Sequence, residues 1–121
     1  MRIIRELIEE LLAISKDNYP LEFVALLIGK KGVIEEYIFL PGTEFGHTSA
    51  VFRIDMLPLG QKIHGTFHSH PSTNNRPSPQ DLSMFASNGN YHIIAAHPYD
   101  MRSWKCYDKC GNEIELEVVD E

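Results

Sequence analysis

His68-Ser69-His70-Pro71, a polar loop over residues 72–77, and then Ser78-Pro79-Gln80-Asp81 form the stretch on which the reading of this chain turns. It holds a strand, the end of that strand and the start of a helix. The strand begins near Lys62, and alternate side chains of an extended segment share a face, so the rings of His68 and His70 point the same way. Pro71 ends it. Ser78 suits an N-cap, Pro79 the first helical position, and Asp81 the third, where a carboxylate faces back toward the open end of the helix. Ser-Pro-x-Asp is also a common way to begin a helix, its Asp merely complementing the dipole. The joint occurrence with His-x-His, ten residues lying between His70 and Asp81, points instead to a metal centre. Two imidazoles and one carboxylate, with a fourth position left to water, are the ligands of a catalytic zinc ion.

Outward from this stretch, helices and strands are interspersed without strict alternation. Downstream, a helix over residues 79–87 is stopped by Asn88-Gly89, and residues 91–96 are an apolar strand. Residues 103–107 and 113–119 make a hairpin, the second arm placing Ile114, Leu116 and Val118 on one face. Upstream, residues 49–56 alternate, with Ala50, Phe52, Ile54 and Met56 on one side, and a loop over 41–48 holds His47. Gly29-Lys30-Lys31-Gly32 reads as a turn between an apolar run over 23–28 and a strand over 33–40. Residues 2–16 read as an amphipathic helix, ended by Asp17, Asn18 and Pro20, with Ile3, Ile4, Leu7, Ile8, Leu11 and Leu12 on its core face. The pattern predicts a single α+β domain over residues 1–121, with a mixed, curved β-sheet flanked by helices.

Composition bounds the partners. At 121 residues the chain can bury roughly two-thirds of its unfolded surface without disulfide or metal staples. A net charge of −6 argues against nucleic acid, which calls for a basic stripe. No apolar run approaches the about 20 residues of a membrane span, and Arg2, Arg5, Glu6, Glu9 and Glu10 interrupt what would be a signal sequence. The expected compartment is the cytoplasm. There Cys106 and Cys110, which flank a turn candidate, are expected as reduced thiols, and a disulfide between them stays open only for a hyperthermophilic source.

His68-Ser69-His70-Pro71, Pro77-Ser78 and Asp81 closely resemble the signature of the JAMM (MPN-plus) metalloprotease family. That family also carries a glutamate just before a hydrophobic strand ending in glycine. The matching stretch here, Pro20-Leu21-Glu22-Phe23-Val24-Ala25-Leu26-Leu27-Ile28-Gly29, supplies Glu22. Ala25 stands where many members have glycine, a small residue for a small one. The family's helix ahead of the His-Ser-His strand is shortened to residues 56–62, and there is no room for the insertions with which larger eukaryotic members grip polyubiquitin. The resemblance covers nearly the whole chain and implies a cytidine-deaminase-like fold. It implies one zinc ion on His68, His70 and Asp81, with Glu22 as general base and Ser78 as donor to a tetrahedral oxyanion.

The activity so implied is that of an isopeptidase resembling deubiquitinases, cutting after the C-terminal Gly-Gly of a ubiquitin-like modifier joined to a lysine amine. A close variant is a peptidase acting on the tail of a sulfur-carrier protein; another class is a scaffold module that has lost its ligands. Glu22, His68, His70, Ser78 and Asp81 are all present, which favours the enzyme. A nucleobase deaminase needs a Pro-Cys-x-x-Cys arrangement that neither Cys106 nor Cys110 provides. The sequence leaves a homodimer open. His64 shares the face of His68 and His70 but stands about 20 Å of extended strand from His70, too far to ligate the same ion. His47, His92 and His97 are assigned structural roles, and Trp104 a place in the core.

Overall fold

The apolar run that follows Glu22 becomes the middle of a sheet. The computed structural model describes residues 1–39 and 60–120. In chain order these form β1 (Arg2–Ile4), α1 (Arg5–Asn18), β2 (Val24–Lys30), β3 (Val33–Phe39), β4 (Lys62–His70), α2 (Pro79–Phe85), β5 (Tyr91–Ala96), β6 (Trp104–Tyr107), β7 (Glu113–Ile114) and β8 (Glu117–Val119). The loop and strand expected over residues 41–56, His47 with them, and most of the short helical stretch at 56–62 lie outside the described residues.

The strands make one eight-stranded sheet in the order β7-β6-β5-β4-β2-β3-β1-β8. It is mixed: β4 pairs antiparallel with β2 and parallel with β5, and β1 runs parallel to both β3 and β8. Consecutive residues of β5 separate two apolar layers. Ile93 and Ala95 join α1 residues Leu7, Ile8, Leu11 and Leu12 in the main core, whereas Ile94 packs with Phe85 of α2 and with Tyr107. The sheet is therefore covered by α1 on one face and α2 on the other, an α+β domain as expected.

Local differences from the sequence reading have definite causes. The first helix starts at Arg5, three residues later than the expected start at residue 2, because residues 2–4 pair with β3 and β8. Ile3 is buried either way, so the hydrophobic pattern does not discriminate and the tertiary pairing decides. The first turn is confined to Lys31 and Gly32, both at positive φ, which is the backbone twist a two-residue hairpin needs. Gly29 belongs to β2 at a bulge, where a Cβ would lie 1.9 Å from the carbonyl oxygen of Val33. α2 ends at Phe85, and the Asn88 amide takes up the Met84 carbonyl at 2.7 Å.

Residues 113–119 are divided between the two edges of the sheet. Their first part pairs with β6 and their last with β1, at opposite ends of the strand order. Ile114 and Glu117 are at most about 11 Å apart along the chain, so the sheet must curl until its ends nearly meet. Ile114, Leu116 and Val118 all pack against the main core. Cys106 stands opposite Ile114, not Cys110; both cysteines are free thiols, the first buried with its thiol pushed up to about 12 by burial, the second exposed.

Candidate metal centre

Two strands and one short helix converge at the C-terminal end of β4. His68 stands opposite Val24 of β2 and Ile94 of β5, and His70 opposite Ala96. Residues paired across strands share a face, so both rings project on the side of Ile94, toward α2. Ser69, between them, faces the other way and is fully buried. Its amide donates to the Phe23 carbonyl at 3.2 Å, and its Oγ accepts from the Phe23 amide at 3.0 Å. This reciprocal pair clamps the chain just past Glu22 onto the His-Ser-His strand.

Asp81 reaches the histidines through a capping box. Ser78 Oγ accepts from the Asp81 amide at 3.2 Å, while the Asp81 carboxylate accepts from the Ser78 amide at 2.7 Å and from Ser78 Oγ at 2.9 Å. A hydroxyl has one hydrogen and two lone pairs, so the cap uses a lone pair and the hydrogen is a separate resource. Asp81 is 0% exposed. Its Oδ1 lies 2.6 Å from His68 Nδ1 and its Oδ2 3.2 Å from His70 Nε2.

Glu22 sits across His68 from Asp81, its Oε1 3.0 Å from His68 Nε2, with the side chain 45% exposed. The centre thus opens to solvent on the Glu22 side and is closed on the Asp81 side. The electrostatics follow from the same contacts. The hydrogen bond from His68 lowers the Glu22 carboxyl below its ordinary range against a smaller opposing effect of burial. Burial alone would raise Asp81, but hydrogen bonds from His68, His70 and the Ser78 amide overcome it and hold the group well below the usual carboxylate range. Burial disfavours charge on His70, and its bonds to Asp81 and to the Asn74 carbonyl more than offset that, raising it.

The donor set fits a zinc ion. One ligand atom each from His68, His70 and Asp81 can be chosen so that all lie within 4.8 Å of one another. Tetrahedral zinc with bonds of about 2.0–2.1 Å separates its ligand atoms by about 3.3 Å, so the three need only small rearrangement around an ion. Carboxylate oxygens only accept hydrogen bonds, and two carboxylates facing two imidazoles is an arrangement that a divalent cation satisfies.

The remaining histidines lie apart from this cluster. His92 is fully buried, stacked on Phe85 with ring centroids 4.1 Å apart, and bonded to Thr66 Oγ1 at 2.8 Å and the Gly89 carbonyl at 2.9 Å. Burial pushes it down to about 4, so it is a neutral core residue. His97 stacks on Tyr19 at 4.5 Å. His64 is buried on β4, and Trp104 packs against the main core. Sequence reasoning did not single out Ser69, Asn74, Tyr99 or Tyr107, whose contacts with the centre and its loop join distant parts of the chain. Only Ser69 carried a local signal, as the residue forced to the opposite face between two histidines.

Residues 5–107 match the family described as prokaryotic homologues of the JAB domain. A Haloferax volcanii protein described as a probable metalloprotease is 34% identical, over 88% of this chain and 71% of its own length. The crystal structure of a JAB1/MPN domain protein from Archaeoglobus fulgidus superposes with a TM-score of 0.83 at 48% identity, covering 98% of this chain and 99% of that one. A structure described as JAMM, a metalloprotease-like zinc site in the proteasome and signalosome, superposes with a TM-score of 0.79 at 46% identity, covering 98% and 97%.

Proposed function

This chain belongs to the family of prokaryotic homologues of the JAB domain, and from that premise we propose that it is a zinc-dependent isopeptidase. Its substrates are ubiquitin-like proteins joined to a lysine amine through a C-terminal Gly-Gly. The observation that carries the reading is the convergence of His68, His70 and Asp81 within 4.8 Å, with Glu22 3.0 Å from His68 on the solvent side. His68, His70 and Asp81 would hold the ion. Zinc so bound would supply Lewis-acid polarisation of a scissile carbonyl and a lowered pKa for water.

The protein's own groups do the rest. Glu22, ionised at neutral pH and accessible to solvent, accepts the proton of the attacking water and returns it to the leaving amine. The hydrogen of Ser78 Oγ, here directed at Asp81 Oδ2, is the one that would turn to the developing oxyanion. The lone pair that caps α2 stays in use throughout, so the two roles of Ser78 do not compete.

The test uses the zinc-loaded chain and a panel of conjugates: ubiquitin-like and sulfur-carrier proteins, each linked through Gly-Gly to a lysine side chain or to a peptide amine. Cleavage by the wild type that is lost in Glu22→Gln, with zinc content retained, supports the assignment. Side-chain linkages cut in preference to peptide linkages select the isopeptidase over the sulfur-carrier tail peptidase. Intact conjugates with a zinc-bound wild type contradict the reading and favour a scaffold.

A further inference from the structure

Resting on the zinc reading above, we propose that Tyr99 and Tyr107 are positioning residues of the metal centre, aiming one ligand by pinning the loop beside it. The loop over residues 71–77 joins the two halves of the ligand set. Within it, the Asn74 carbonyl accepts from His70 Nδ1 at 2.9 Å. A carbonyl only accepts, so Nδ1 carries the hydrogen and Nε2 is the nitrogen turned to Asp81 and to a cation. Asn74 itself is exposed, and its local bonds, to Ser72 Oγ at 3.2 Å and from the Arg76 amide at 2.9 Å, do not attach it to the fold.

The attachment comes from two buried rings outside the loop. Tyr99, 1% exposed, donates its hydroxyl to the His70 carbonyl at 2.7 Å, and Tyr107, 4% exposed, donates to the Asn75 carbonyl at 2.7 Å. These two anchors bracket residues 71–74 of the loop, with Asn74 immediately before the second. The Asn75 amide group adds a bond to the Ser103 carbonyl at 3.2 Å, and the His97 amide donates to the Ser72 carbonyl at 2.9 Å. The orientation of His70 therefore depends on β6 and on the turn after β5, neither of which contributes a ligand. Tyr99 holds a φ of +63°, unusual for a bulky residue, and is retained there with its ring buried and its hydroxyl on the His70 carbonyl.

Tyr99→Phe and Tyr107→Phe each delete one oxygen and keep the ring in place. Zinc affinity, by competition with a coloured chelator, is expected to fall in each, and about 10–100-fold in the double variant, the range for partners that orient a ligand. The visible absorption of the cobalt-substituted protein, which reports ligand geometry, is expected to shift. Leu12→Ala is the control: it loosens the core under α1 on the opposite face and is expected to lower the melting temperature without changing zinc affinity. Single variants that keep wild-type affinity and an unchanged cobalt spectrum overturn the proposal, and they decide it should the double variant not fold. A Leu12→Ala protein that loses as much affinity overturns it too, because stability would then suffice as the cause. A wild type that binds no zinc fails at the earlier step, overturning the metal reading and this inference with it.

Discussion

His92 makes the protein acid-sensitive by an amount that its surroundings set. The ring is fully buried against Phe85, where burial pushes it from an ordinary 6.5 down to about 4. Its two nitrogens are already committed to a hydroxyl and a carbonyl, so a second proton leaves the bond to Thr66 without an acceptor on the ring. Between those two values the unfolded chain binds a proton that the native state does not. Stability therefore rises with pH across this window and is lost as pH falls through it, by about 1.4 kcal/mol per pH unit. From about pH 7 to about pH 4 the loss from this one group is about 3 kcal/mol. Phenylalanine cannot titrate but preserves the stack, so His92→Phe isolates the effect. Leaving Thr66 and Gly89 unpartnered costs the variant about 1–3 kcal/mol per group at any pH. Urea unfolding of the metal-free proteins should show the wild-type advantage shrinking by about 3 kcal/mol over the acid range. An advantage that stays constant, or a His92 ring that titrates by NMR near its ordinary value, refutes the reasoning.

Ser78→Ala separates the two uses of one hydroxyl. Losing the cap should cost about 0.5–2 kcal/mol in unfolding free energy, while losing the oxyanion donor should lower kcat about 10²–10³-fold; a variant that is destabilised but fully active would show that Ser78 is a cap alone. Stripping zinc with a chelator should leave cooperative melting, because the main core involves none of His68, His70 or Asp81. Zinc should raise the melting temperature by ligand linkage, worth about 4 kcal/mol at a thousandfold excess over Kd; apo protein with no melting transition would contradict this.

Much of the centre was legible because its parts are local. His68 and His70 share a face by the period of a strand, and Ser78-Pro79-Gln80-Asp81 writes its own helix start; neither needs knowledge of the fold. Glu22 is different. Nothing around Pro20 and Leu21 marks it, and only the family resemblance selected it; what delivers it to His68 is the clamp between Phe23 and Ser69, 46 residues apart. The hydroxyls that hold the ligand loop come from 29 and 32 residues away and leave no periodic trace. The same contrast runs through the fold. β2 and β5 were readable as apolar extended runs, whereas β1 was hidden inside a helical stripe and residues 113–119 hid a change of partner. In both cases the hydrophobic pattern was satisfied by the wrong structure, and pairing with a distant strand decided.

The claim on which the account depends is that His68, His70 and Asp81 together hold zinc. The direct measurement is the zinc content of the purified chain after exhaustive dialysis, alongside Asp81→Ala and His70→Ala, with X-ray absorption at the zinc edge on the wild type. The account predicts one zinc per chain bound by two imidazoles and oxygen ligands, and little or none in either variant. Undiminished zinc in both variants, or a wild-type spectrum requiring sulfur ligands, would contradict it.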